Sequence, residues 1–196
     1  MLFFEEKYQE YEYICGIDEA GCGPLAGPVS AAAVVLPKGL VIEGLNDSKK
    51  LSAKRRNLLF DEIIDKALDY AIATIDHEEI DAINILEARL KAMAQAVAQI
   101  RADFALIDGN RAPKIAIPHV LIEGGDGRSM SIAAASVLAK VHRDRIMEEY
   151  DKTYPQYGFA KHKGYGTAAH IAAIRAHGAS PIHRQTFLSR ILNKGG

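Results

Sequence analysis

Two apolar runs joined by a turn too rich in glycine and proline to be helical limit this chain more than any other feature. The first run, residues 14–17, is strand-like and stops at two adjacent carboxylates, Asp18 and Glu19. Gly21, Gly23 and Gly27 then alternate with Pro24 and Pro28, and a second apolar run fills residues 29–36. Short apolar runs bounded by turn residues read as buried strands. Two ionised groups side by side at the end of a buried strand repel each other, and burial raises that cost. A divalent cation is the simplest group that offsets it. The plain alternative is a solvated Asp-Glu turn. The glycine spacing, Gly21-x-Gly23-x-x-x-Gly27, misses the dinucleotide fingerprint by one residue and leads into a strand rather than a helix.

Whether the pair has a chemical role depends on other acids reaching it. Asp108 ends a buried run at residues 104–107 and precedes Gly109, as Asp18 ends the first strand. Neighbouring strands would bring these two together at one sheet edge. Asp126 lies among Gly124, Gly125 and Gly127 ahead of the longest helical stretch, where a turn or cap role is an equal alternative. Asp18, Glu19, Asp108 and Asp126 form a hard-oxygen set suited to magnesium or manganese, and no nearby Cys/His pattern favours zinc.

The rest of the pattern is strand and helix in one chain. A helix is expected from Ser52, its cap, to about residue 68, then a strand over 70–75. An alanine-rich helix capped by Asn84 with Glu87 is expected to end near residue 100, and a further strand to fill about 115–122. The longest helix spans about 129–150, an aromatic and basic loop follows over 154–166, and Thr167 caps a short helix before a last helical piece at 185–192. This predicts an α/β fold with one mixed sheet flanked by helices, in a single domain over 1–196 whose C-terminal part, from about 151, is basic and helical. Residues 1–135 carry 14 Lys and Arg against 21 Asp and Glu, and residues 136–196 carry 10 against 4, with five of the seven histidines. A basic third beside an acidic body suits a polyanion held next to metal, although solvated helix faces would give the same count. Two cysteines, Cys15 and Cys22, no signal-like start and no apolar stretch of membrane length lead us to expect a cytoplasmic protein without a membrane role.

The run Asp-Glu-Ala-Gly-x-Gly-Pro-Leu-Ala-Gly-Pro-Val at 18–29 resembles the opening motif of the ribonuclease HII family. So do Asn-Asp-Ser-Lys-Lys-Leu-Ser at 46–52, Ile-Asp-Gly at 107–109, and the small-residue run at 131–141 with Arg-Asp-Arg at 143–145. His-Lys-Gly-Tyr-Gly-Thr at 162–167 and Pro-Ile-His-Arg at 181–184 complete the resemblance. It implies a ribonuclease H-like fold with a mixed five-stranded sheet. The implied enzyme is a monomeric, metal-dependent endonuclease that cleaves the RNA strand of RNA/DNA hybrids and DNA at embedded ribonucleotides, leaving 5′-phosphate and 3′-hydroxyl ends. The family's four acids fall on Asp18, Glu19, Asp108 and Asp126, implied to be both catalytic and the ligands of two Mg2+ or Mn2+ ions. Gly21, Cys22 and Gly23, with Tyr165, would sense the 2′-hydroxyl, since bare backbone approaches a sugar closely and a ring packs on it. Tyr165 read without the family is a half-buried loop tyrosine. Lys49, Lys50, Lys163 and Arg184 would contact phosphates. Ser131 and Ser136 are expected to serve packing. The family usually has arginine where this chain has Cys22, and we expect a spectator thiol there. Rival readings are another nuclease or resolvase of the same fold, a catalytically silent nucleic-acid-binding module, and a nucleotide-binding protein using the glycine loop.

Overall fold

A computed structural model describes residues 1–45 and 51–192 of the chain. Residues 46–50, and with them Lys49 and Lys50, lie outside the described residues. Five strands form one sheet: β1 (Ile14–Ala20), β2 (Val29–Val35), β3 (Asp69–Ile75), β4 (Phe104–Asp108) and β5 (His119–Ile122), in the order β3-β2-β1-β4-β5. β2 pairs antiparallel with both β1 and β3, whereas β4 runs parallel to β1 and to β5. The glycine turn makes the first pairing possible, the parallel β1–β4 pairing spans a crossover that contains helices, and β4 reaches its parallel neighbour β5 through the helix-free segment 109–118. The sheet is therefore mixed and five-stranded, as expected.

β2 is Val-Ser-Ala-Ala-Ala-Val-Val and buried throughout, because helices cover both faces. Alternate residues serve opposite sides. Ala31, Ala33 and Val35 pack with Ala88, Ala92, Met93 and Ala96 of α4 (Ile85–Val97). Ala32 and Val34 pack with α5 (Met130–Thr153) and α2 (Ala53–Lys66). Alanine on strand and helix allows this close approach. The limit is at Gly16, where an added Cβ would lie 2.0 Å from the Ser131 carbonyl carbon and 2.2 Å from the Ile132 nitrogen. The start of α5 thus rests on β1, two residues from Asp18.

The predicted caps form. Ser52 accepts from the Arg55 amide, Asn84 from those of Leu86 and Glu87, and Thr167 from that of His170. Three expectations change. α4 ends at Val97 rather than residue 100. β5 begins at His119 rather than near 115, because Pro118 has no N–H for the ladder and offers only its carbonyl, to Ala105. Three helices went unread: α1 (Phe3–Lys7), α3 (His77–Ile83) and α6 (Phe159–His162), the last inside the stretch expected to be loop.

Beyond α5 the chain forms short helices α6 (Phe159–His162), α7 (Ala168–His177) and α8 (Gln185–Leu192). Their core, with Tyr157, Phe159, Ile174, Ile182 and Leu188, closes over Leu25 and Ala26 of the glycine turn and Met147 of α5. Backbone bonds complete the seam: Leu25 N–H to Gly164, Gly27 N–H to Ile182 and Arg184 N–H to Leu25. This seam lays the loop carrying Tyr165 against the turn that follows Asp18 and Glu19. No described helix is long and apolar enough to cross a membrane.

Candidate active site

Parallel pairing of β1 with β4 matches Ile17 to Ile107. The next residues, Asp18, two residues before the end of β1, and Asp108, the last of β4, are therefore neighbours and share the face covered by α5. Glu19 points to the opposite face, where it accepts from Arg89 of α4 at 3.0 Å. Asp18 is buried and takes the Glu19 amide at 2.7 Å, with Ser136 of α5 in the same cleft lining. Burial, then the charges of Glu19 and Asp108, push its carboxyl well above the usual carboxylate range, and the nearby Ser136 hydroxyl and Glu19 amide offset only part of that. Asp108 accepts the Gly125 amide at 2.6 Å. That bond ties β4 to the 3-10 turn Gly125–Gly127, which carries buried Asp126.

A cleft of about 420 Å³ opens over these acids, lined by Asp18, Glu19 and Asp108 on one side and by Gly21, Cys22, Gly23 and Tyr165 on the other. Arg56, Ser136 and Lys140 form its rim and floor. The structure therefore brings three of the four acids to one cleft with the glycine turn and Tyr165. Asp126 is not among the cleft-lining residues and stands one residue from Asp108's backbone partner, Gly125. Among the described residues, no three Asp, Glu, His or Cys side chains close into a ready-made metal cage. The donor set nonetheless fits hard cations: it is all carboxylate oxygen, one member is held in an unfavourable field of like charge, and none is a thiolate or imidazole.

The glycine turn is braced from beneath. Arg184 is fully buried and donates to the carbonyl oxygens of Gly27 (2.9 Å), Cys22 (3.2 Å), Gly21 (2.7 Å) and Pro28 (3.0 Å). Arg143 of α5, also fully buried, donates to Pro28 (2.8 Å), Lys163 (3.0 Å) and Ala26 (3.2 Å). This corrects the expectation for Arg184. Its donors are occupied by carbonyls inside the protein, so it holds the turn rather than touching phosphate. Gly21 lies at φ +102°, and a Cβ there would meet Arg143 Nε at 2.2 Å. Gly23 faces Tyr165, whose ring would be 3.6 Å from an added Cβ, and Tyr165, which lines the cleft, is 43% exposed. Lys163 is also redirected, donating to Glu148 (2.7 Å) and to the Ala160 carbonyl (2.6 Å).

The Cys22 thiol donates to Glu19 at 3.5 Å, and burial together with the Glu19 charge pushes it up to about 12. It stays protonated at neutral pH and offers no nucleophile. Ser136 lines the cleft beside Asp18, and the Ser131 hydroxyl donates to Glu5 at 2.8 Å. Sequence reasoning missed Arg89, Arg143 and Lys140. Arg143 lay inside a motif, but a charge on a helix does not announce burial among carbonyls contributed from more than 100 residues away.

A model of the family described as ribonuclease HII matches residues 15–190. A ribonuclease HII from Ruminiclostridium cellulolyticum is 56% identical over 196 residues, covering 98% of this chain and 77% of that protein. Among solved structures, the ribonuclease H2 of Pyrococcus horikoshii OT3 superposes with a TM-score of 0.77 at 25% identity, covering 93% of this chain and 98% of that one. A Bst-RNase HIII crystallised in complex with Mn2+ shares the fold, with a TM-score of 0.71 at 15% identity over 93% of this chain and 70% of its own. The chain belongs to the ribonuclease HII family, and its activity is that of a ribonuclease H acting on RNA/DNA hybrids.

Proposed function

We propose that this chain cuts the RNA strand of hybrids, and DNA at an embedded ribonucleotide, in the cleft between Asp108 and Tyr165, leaving 5′-phosphate and 3′-hydroxyl ends. The observation that carries this reading is the placing of Asp18 and Asp108, each one residue beyond the paired Ile17 and Ile107, in the same cleft as Tyr165 and the Gly21–Gly23 turn. Asp18, Glu19, Asp108 and, from the adjoining turn, Asp126 would hold two Mg2+ or Mn2+ ions. Such a pair, when bound, supplies an activated water and charge stabilisation of the leaving oxygen. The chain's own contributions are positional. The Glu19 amide fixes the Asp18 carboxylate, Gly125 fixes Asp108, and Arg89 restrains Glu19. The two buried arginines hold the glycine turn at the height of the sugar. A second cavity shares Arg56, Lys140 and Tyr165 with the cleft and continues past Asn57, Arg145 and Lys161, a mostly basic path for a phosphodiester backbone.

Ribose selection is assigned to Tyr165 and the turn, since the 2′-hydroxyl is the only group on the sugar that separates RNA from DNA. Tyr165→Ala is expected to lower single-turnover cleavage on the order of 100-fold, because the scissile bond loses its alignment. Duplex binding should change far less. Measuring both on a hybrid and on an all-DNA duplex checks this. Cutting of all-DNA at the hybrid's rate would sink the reading.

Cys22→Arg places a cation where the family usually has one. Binding should tighten, and the log–log salt dependence should steepen by about 0.9, the value for one further phosphate contact. The metal requirement should stay as it is, because the acids are untouched. Affinities across a salt series decide the matter; an unchanged slope would mean that the turn faces away from the phosphates.

A further inference from the structure

Beneath the loop that carries Tyr165 lie three histidines that cleavage itself does not use. His170 and His183 are 0% and 1% exposed, and their Nε2 atoms are 3.0 Å apart. His170 Nδ1 is 2.9 Å from the Tyr165 carbonyl oxygen. His183 Nδ1 is 2.9 Å from the Ser180 amide, 2.8 Å from the Ser180 hydroxyl and 3.3 Å from the Ser180 carbonyl oxygen. His162 stacks on His170 with ring centres 4.3 Å apart, between the Gly164 amide and the Tyr157 carbonyl.

These partners fix the protons. The Ser180 amide, which can only donate, is closer to His183 Nδ1 than the Ser180 carbonyl is, 2.9 Å against 3.3 Å, so His183 Nδ1 is bare and its proton sits on Nε2. His170 Nε2 must accept that proton's bond, which leaves the His170 proton on Nδ1, aimed at a carbonyl that can only accept. The direction is Ser180 to His183 to His170 to Tyr165, with every imidazole nitrogen of the pair matched. We propose that His183 and His170 form a neutral hydrogen-bond relay that positions Tyr165 for the ribose. Both are then positioning residues for the reaction, and the proposal rests on the reading of Tyr165 as the sugar contact.

A proton on either ring breaks the series. It would set two Nε2–H groups against each other, or an Nδ1–H against the Ser180 amide. Burial holds both histidines below their usual value, His183 at about 4, and the neighbouring imidazoles push the same way. The titratable groups facing the pair are His162 of α6, His77 of α3 and the Tyr157 phenol. Because the folded-state values are depressed, the relay's stabilisation is fully present above the ordinary histidine value of about 6.5 and is lost as pH falls toward 4.

The test joins kinetics to nitrogen chemical shifts. On a duplex with one ribonucleotide, His170→Leu should slow single-turnover cleavage about 10-fold by misplacing the loop. His170→Asn, whose amide can donate to the Tyr165 carbonyl, should recover most of that rate. In the Tyr165→Ala background, His170→Leu should cause no further loss, since its effect passes through the missing ring. Factors that multiply in the double variant, or an Asn variant as slow as Leu, would overturn the relay while leaving the ribose contact standing. Full activity of Tyr165→Ala would overturn the ribose contact, and the relay's purpose with it. Imidazole 15N shifts of the unmodified protein at pH 7.5 need no variant to fold. They should report Nε2–H on His183 and Nδ1–H on His170, and a proton on His183 Nδ1 would refute the relay.

Discussion

Replacing Asp108 by Asn is expected to lower cleavage by about 1,000-fold or more while the melting temperature holds or rises. Transition-state stabilisation at a two-metal site amounts to several kcal/mol, and each 1.36 kcal/mol is tenfold in rate. Asn keeps an oxygen for the Gly125 amide, which Asp108 now accepts at 2.6 Å, so the tie between β4 and the Asp126 turn survives. It also removes one of the two carboxylates that crowd Asp18. Stability at neutral pH should therefore not fall. The same electrostatics predict that millimolar Mg2+ or Mn2+ raises the melting temperature of the unmodified protein more than that of the variant. Single-turnover rates and thermal melts of both proteins check this. Near-normal turnover by Asp108→Asn would remove the residue from the site.

Gly16→Ala should cost more than about 4 kcal/mol, a loss reached only by a few mechanisms, of which backbone overlap is one. The new Cβ would lie 2.0 Å and 2.2 Å from backbone atoms of Ser131 and Ile132, which cannot swing aside as a side chain would. Sheet and α5 would have to part where Ser136 reaches Asp18. For a chain of this size the melting temperature should fall by about 10 °C or more. A melt within 2 °C of the unmodified protein would show that the contact between α5 and β1 is looser than described. Fold and site share this contact: the close approach that alanines and Gly16 allow is what places α5 over the acids.

Much of this geometry was readable before any coordinates. Asp18 and Asp108 each end an apolar run, and a strand end beside a parallel neighbour is a place where two carboxylates meet. Ser52, Asn84 and Thr167 announced their helices because capping is local chemistry. What failed was long-range. Arg184 was expected on phosphate, but its partners are the carbonyls of Gly21, Cys22, Gly27 and Pro28, on the far side of the sequence. A buried guanidinium is tolerated only where such a set of acceptors converges. No pattern within residues 181–184 encodes that convergence. Arg143 escaped notice for the same reason. The relay of His170 and His183 joins residues 13 apart across a turn, and its sense comes from the bonding partners alone.

The central claim is that the cleft carrying Asp18 and Asp108 performs metal-dependent cleavage at ribose. It is tested most directly with a 5′-labelled DNA duplex holding one ribonucleotide, incubated with the protein in EDTA, in Mg2+ and in Mn2+, beside Asp108→Asn and an all-DNA duplex. We expect one cut at the ribonucleotide, only with added metal, giving 5′-phosphate and 3′-hydroxyl ends, with the variant at least about 1,000-fold slower, as several kcal/mol of lost stabilisation requires. Cleavage that persists in EDTA, or that proceeds equally on all-DNA or in the Asp108→Asn variant, would contradict it.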